Sequence, residues 1–352
     1  YGAHRDLHSS PTRRSSDLPP ALKTGDKVAI VATARKVSRT EMEPVVAMLQ
    51  SWGLNVVTGE HLYAEENQFA GSDEQRHSDL QQMLDDPDVR AIFCARGGYG
   101  TVRLIDQTDL AGLLRHPKWI VGYSDITVLH SHLHKHASIE TLHATMPINF
   151  FNNGQPAASA EALRKTLFGE IPVYTPKPAV FSRPGNARGQ VVGGNLSILY
   201  SLSATPSDID TQGKILLIED LDEYLYHIDR MMMNLKRSNK LANLAGLVVG
   251  GMSDMRDNAV PFGKTAEEII AEAVKEHSFP VLFGFPAGHL KENMPLILGR
   301  EAVLEVGPEN ASLTFIPPAA TQAGTMRLLK PLLFISAFFA LIWLLYFLLL
   351  GK

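Results

Sequence analysis

The sequence contains a single cysteine, Cys94, among 352 residues. No disulfide can therefore form within the chain, which suits a reducing compartment. A basic excess is also missing. The 33 Lys and Arg stand against 37 Asp and Glu, for a formal net charge of −4. That excludes a protein built mainly to hold a nucleic-acid backbone, which needs a basic stripe. No internal repeat is present. No apolar run opens the chain, so residues 1–20 are not a secretory signal. Those twenty residues are rich in Ser, Arg and Pro and lack apolar periodicity. They read as a non-native leader, whose deletion should leave stability and activity unchanged.

What is present begins with an ordinary globular composition, 45% hydrophobic and 20% charged. The length suits one large or two medium domains. A strand pattern over 27–33 precedes a capping-box pattern at Thr40–Glu43 and a helix that closes near Gly53. Strands follow at 55–58, 91–95 and 119–122. Helices are expected over 72–84, opened by Ser72 or Asp73, and over 125–134. Alternation of this kind predicts βαβ units and a mainly parallel, Rossmann-like sheet. Residues 150–184, rich in Pro, Gly and Asn, read as a linker. Beyond Gly189 lie strand patterns at 214–218, 245–249 and 281–284, and an amphipathic helix over 265–277 capped by Thr265. Alternating antiparallel patterns close this part at 302–306 and 312–315. The expected organisation is an N-terminal domain over 21–150, a linker over 151–188, and a smaller β-rich α/β domain over 189–318.

The C-terminal end is different again. Residues 331–350 form a twenty-residue run without a charge. At about 1.5 Å per residue a helix of this length spans roughly 30 Å, the thickness of a membrane core. Arg327 and Lys330 precede it, and Trp343 and Tyr346 suit an interface. Residues 326–352 are therefore a transmembrane tail candidate, with the globular part on the cytoplasmic side. A buried helix, or a fused small membrane protein starting at Met326, remain open readings.

The strongest local chemical signal is Trp119–Thr127, WIVGYSDIT. A strand runs into a helix with Ser124 at the corner, the setting of a nucleophile elbow. The Asp125 amide would then face a bound carbonyl oxygen. The alternative is that Ser124 caps the helix. Arg96-Gly97-Gly98-Tyr99-Gly100 also follows a strand; its amides suit an oxyanion hole or, equally, a tight turn. It lacks the ending of a P-loop and the spacing of a dinucleotide fingerprint. A serine nucleophile needs a base and an orienting acid. Among thirteen histidines, His289 follows a strand through an open loop of small residues. Glu219 sits at a strand end, with Asp220, Asp222 and Glu223 as rivals. His130 and His134 lie one helical turn apart, but no third ligand accompanies them, so no metal site is assigned and a solvated helix face is expected. Cys94 reads as a core thiol, and residues 226–233 as a packing helix.

Taken together, Arg96–Gly100, Gly122–Thr127, Val192–Leu196, Leu217–Asp220 with Ile228–Arg230, and Gly284–His289 resemble the murein LD-carboxypeptidase family, which includes the microcin-immunity amide hydrolases. The five pieces keep the family order over residues 22–316. The resemblance implies a serine peptidase with Ser124 as nucleophile, Glu219 as acid and His289 as base. It implies an oxyanion hole from the amides of Asp125 and of Gly97 or Gly98, no cofactor, and a homodimer. Its substrate would be a murein tetrapeptide losing terminal D-Ala during cell-wall recycling in the cytoplasm. Arg96 and Asn195 are substrate-binding candidates, Arg96 because its cation suits a terminal carboxylate. The rivals are an amide hydrolase of the immunity type and a non-catalytic anion- or peptide-binding protein. Two segments depart from the family pattern, residues 31–36 (VATARK) and 143–147 (HATMP), and both would alter the pocket wall.

Overall fold

Short β-branched runs and amphipathic helices alternate along the first half of the chain. They give β1 (Lys27–Val31), α1 (Arg39–Ser51), β2 (Asn55–Thr58), α2 (Asp73–Asp85), β3 (Val89–Cys94), α3 (Ala111–Arg115), β4 (Trp119–Gly122), α4 (Thr127–Ala137) and β5 (Thr141–His143). The structure, a computed structural model, describes residues 18–318. Helix α1 starts earlier than the Thr40 pattern suggests. Ser38 and Glu41 form the reciprocal capping box instead, because the same Ser/Thr-x-x-Glu spacing occurs two residues upstream and satisfies two orphan amides. Ser72 caps α2 in the same way, with Gln75 as its partner.

Residues expected to form a plain linker carry structure. A small hairpin, β6 (Phe151–Asn152) and β7 (Gln155–Pro156), leads into α5 (Ala158–Leu167) and β8 (Val173–Tyr174). Ala160, Leu163 and Leu167 of α5 are buried, an apolar stripe that the surrounding Pro, Gly and Asn mask in the sequence. The second half then forms β9 (Gly185–Asn195), α6 (Leu196–Ser201), β10 (Ile215–Leu221), α7 (Leu225–Arg237), β11 (Gly246–Ser253), α8 (Ala266–Ala273), β12 (Val281–Phe283), β13 (Leu296–Leu298), β14 (Glu301–Val306) and β15 (Ala311–Phe315). Thr265 caps α8 through a capping box with Glu268.

Besides the β6-β7 hairpin, two sheets result, in a mixed α/β arrangement of two domains. The first has the order β13-β5-β4-β3-β1-β2, the second β12-β11-β10-β9-β14-β15-β8. Strands β1 to β5 pair in parallel, as do β9 to β12. The antiparallel part is β14, β15 and β8, joined to β9. Strand β13 comes from the second half of the chain yet pairs antiparallel with β5 at the edge of the first sheet. One apolar cluster runs continuously from Val28, Ile30 and Phe93 of the first sheet to Val191, Leu217 and Val248 of the second. Burial of apolar surface on both sides of this seam fixes the two sheets against each other.

Three expectations concern the ends and α4. Pro19 is buried and the Pro20 carbonyl accepts a 2.9 Å hydrogen bond from Trp119 Nε1, so the last residues of the 1–20 stretch pack on the fold. No helix among the described residues is long and apolar enough to cross a membrane; the tail candidate over 326–352 lies outside them. The α4 histidines are not a solvated face. His130 and His132 are buried. His130 Nε2 donates to the Gly122 carbonyl, His132 Nδ1 meets Ser207 Oγ, and His136 Nε2 donates to the Pro206 carbonyl. A segment of the second domain covers the helix, which sequence spacing alone does not reveal.

The seam also contains a buried ion pair. Arg300, in the β13–β14 turn, donates to Glu140 Oε2 at 2.6 and 3.0 Å, and both side chains are at least nine-tenths buried. Removing one partner leaves the other buried charge without its principal counter-charge. Arg300→Met is expected to lower unfolding free energy by about 3 kcal/mol in urea titration, with partial recovery in Arg300→Met/Glu140→Gln. A single variant of unchanged stability would show that the pair does not brace the seam.

Candidate active site

The functional candidates gather where the carboxyl ends of the two parallel sheets meet. Ser124 follows β4 and opens a turn of 3-10 helix, Ser124–Ile126, that runs into α4. Its φ is +64°, a left-handed conformation that costs a non-glycine residue roughly 1–3 kcal/mol. Ser124 is not a helix cap: its turn has no side-chain capping bond. Instead, its Oγ lies 3.2 Å from His289 Nε2. The strained corner turns the hydroxyl out of the strand, away from backbone partners.

Glu219 reaches the same point from β10. The β10–β11 register shifts between Ile218 and Asp220, a bulge that re-aims side chains at the strand end. Glu219 is completely buried. Its Oε2 accepts from His289 Nδ1 at 2.7 Å and from the His289 amide at 3.1 Å. The loop after β12 that carries His289 is pinned: Ser253 Oγ donates to the His289 carbonyl, and the Gly288 amide donates to Asn293 Oδ1. Gly288 has φ +98°, and a Cβ there would lie 2.4 Å from Glu219 Oε2. Only glycine lets the loop approach the carboxylate this closely.

The electrostatics follow from burial opposed by pairing. Burial alone pushes the Glu219 carboxyl up, but the hydrogen bonds and charge of His289 outweigh it and hold the group below the ordinary carboxylate value. Burial pulls His289 down, and Glu219, aided by the Asp220 charge, raises it above the usual imidazole value. With Nδ1–H committed to Glu219, the neutral ring presents Nε2 as an acceptor to the Ser124 hydroxyl. Asp220, the rival carboxylate, is pushed up to about 7 by burial and by the Glu219 charge. It accepts from Asn195 Nδ2, the Ser197 amide and the Leu221 amide. Asp222 pairs with Arg256 and Glu223 with His227, so neither rival contacts His289.

Ser124, Gly97, Gly98, Asp125, Arg96, Asn195 and His289 all line one cleft of about 430 Å³. Gly97 stands against the serine: a Cβ there would lie 3.1 Å from Ser124 Cβ. The Asp125 carboxylate is buried and accepts from the Thr101 amide at 2.9 Å, tying the glycine loop to the serine turn. Asn195 Oδ1 caps α6 by accepting from the Ile198 amide, so its side chain supports the cleft floor. Arg96 stands half-exposed, 3.9 Å from Glu41. Cys94 is buried beneath, its thiol pushed up to about 12 by burial. Among the described residues no cluster of three or more His, Cys, Asp or Glu is placed to hold a metal.

Sequence reasoning assigned no role to Tyr123, whose ring centroid lies 4.9 Å from that of His289, or to Gly288. Each adjoins a named candidate in the chain, and that adjacency was the available signal. His143 ends β5. It is fully buried, and burial pulls it down to about 4.

Comparison with known proteins settles the family. Residues 28–144 match the LD-carboxypeptidase N-terminal domain and residues 188–304 the LD-carboxypeptidase C-terminal domain. The chain belongs to the LD-carboxypeptidase family. It is 35% identical over 316 residues to the probable murein peptide carboxypeptidase of Bacillus subtilis, covering 88% of this chain and 97% of that protein. The crystal structure of muramoyltetrapeptide carboxypeptidase from Oxalobacter formigenes superposes with a TM-score of 0.75 at 27% identity, covering 83% of this chain and 99% of that one. The microcin C7 self-immunity protein MccF shares the fold, with a TM-score of 0.74 at 22% identity over 84% of this chain and 97% of that one.

Two outcomes are expected of this LD-carboxypeptidase. In Glu219→Gln, His289 loses the charge that raises it while burial remains, so its imidazole should titrate below the usual value near 6.5 rather than above. NMR titration checks this, and an unshifted His289 would contradict the pairing. Second, Ser124→Gly should be about 1 kcal/mol more stable than Ser124→Ala in denaturant, because only glycine relieves the positive φ. Equal stabilities would mean the corner carries no strain.

Proposed function

We propose that this chain is a serine LD-carboxypeptidase that removes terminal D-Ala from a murein tetrapeptide, with Ser124, His289 and Glu219 as its triad. One observation carries the reading: the unbroken line from Ser124 Oγ through His289 to a buried Glu219, with contacts of 3.2 and 2.7 Å. His289 Nε2 takes the Ser124 proton as Oγ attacks the carbonyl between the L-centre of the diamino acid and D-Ala. Glu219 fixes the tautomer and stabilises the imidazolium that forms. The Asp125 amide and a glycine amide, Gly97 or Gly98, bind the oxyanion. His289 then returns the proton to the leaving D-Ala amine, and water, activated by the same base, hydrolyses the acyl-enzyme. A cytoplasmic homodimer acting in cell-wall recycling belongs to the same reading, as does an organisation into a nucleophile domain over 21–150 and an acid- and base-bearing domain over 189–318.

The shared fold with MccF supports a second substrate class, an acyl-amide hydrolysed by the same triad. The departures at 31–36 and 143–147 bear on the cleft wall, where such a choice is made. Substrate profiling separates the two.

The test is D-Ala release from a murein tetrapeptide by protein lacking residues 326–352. Wild type should turn over, and Ser124→Ala should lose at least about 10⁴-fold. Because the base must be neutral and His289 is raised, kcat/KM should rise with pH along a limb centred above the usual imidazole value and then level. Turnover that survives Ser124→Ala would remove Ser124 as nucleophile, and release of a different product would move the substrate to the second class.

A further inference from the structure

The cleft is lined by opposite charges from its two sides. Arg35 and Arg96 come from the loops after β1 and β3, and Asp220, Asp222 and Glu223 from the end of β10. The acidic groups are already engaged by Asn195, Arg256 and His227, and Arg96 faces Glu41. The Arg35 guanidinium has no hydrogen-bond or ion-pair partner among the described residues. Arg35 is an exposed residue, but its stem is braced. A Cβ on Gly98 would lie 2.2 Å from Arg35 Cδ and 2.4 Å from Cγ, so the arginine stem lies directly across that glycine. The Arg35 amide also reaches the Gly97 carbonyl, at 3.4 Å.

The order across the loop is therefore Ser124 against Gly97, then Gly98 against Arg35. Adjacent Cα atoms are about 3.8 Å apart. The carbonyl carbon of a scissile bond and the carboxylate carbon of a one-residue leaving group are separated by about the same distance. On the strength of the carboxypeptidase reading above, we propose that Arg35 is a specificity-determining residue that binds the terminal carboxylate of the peptide, the role the sequence alone suggests for Arg96. The planar guanidinium suits a carboxylate in a two-point contact.

Calorimetric titration of Ser124→Ala with a murein tetrapeptide and with its C-terminal amide tests this without turnover. The free acid should bind about 10- to 100-fold more tightly, the value of a hydrogen bond to a charged group. Adding Arg35→Gln should abolish the preference and leave amide binding unchanged, while Arg35→Lys should keep part of it. In the turnover assay, Arg35→Gln should raise KM for the free acid with kcat little altered. Equal weakening of acid and amide, or a preference that survives Arg35→Gln, overturns the proposal. If wild type releases no D-Ala but the binding preference still depends on Arg35, the catalytic reading fails and the carboxylate site stands. Absence of tetrapeptide binding overturns both.

Discussion

The bond from His289 Nδ1 to the buried carboxylate of Glu219 is the constraint on which the rest of the site depends. A carboxylate with no exposed surface is driven towards its neutral form unless donors face it. Here the donors are the ring and the amide of one residue. They come within reach only because Gly288 carries no side chain and because the loop is tied to β11 through Ser253. The same bond fixes the imidazole tautomer, and so decides that Nε2 faces Ser124 as an acceptor. Burial, loop geometry and chemical role are in this sense one arrangement.

The serine facing His289 is supplied from the other sheet, so the contact depends on the joining of the two halves. Strand β13 crosses to the first sheet, the Arg300–Glu140 pair sits beside that crossing, and the apolar cluster runs through both sheets. A hydrogen bond between residues 165 positions apart survives only if this seam is rigid to a fraction of an ångström. Strain at Ser124 is held by the same scaffold. The Asp125 carboxylate accepts from the Thr101 amide, so the turn that presents Ser124 and the glycine loop beside it are positioned together.

Much of this arrangement could be read from the chain. The parallel β1 to β4 unit followed from its strand and helix periods, and the family from five short segments in order, whereas the three-residue β5 was not expected. Ser124, Glu219 and His289 stood out as individual candidates because each lies at a strand end or just beyond one. The parts that could not be read are those that depend on distant partners. The choice of Glu219 over Asp220, Asp222 and Glu223 depends on the bulge in β10 and on partners such as Arg256 that neutralise the rivals. The α4 histidines carry no sign of the 206–208 segment that meets them. Helix α5 was hidden by neighbouring Pro, Gly and Asn. The crossing of β13 leaves no local trace, because a three-residue apolar strand looks the same in either sheet.

The central claim is that Ser124 is a nucleophile activated by His289. It is tested most directly by reacting the protein with a serine-directed phosphonate and mapping the adduct by mass spectrometry across a pH series. The account predicts a single adduct on Ser124, formed faster as His289 loses its proton and greatly slowed in Glu219→Gln. An adduct on another residue, or a Ser124 rate indifferent to both pH and Glu219, would contradict it.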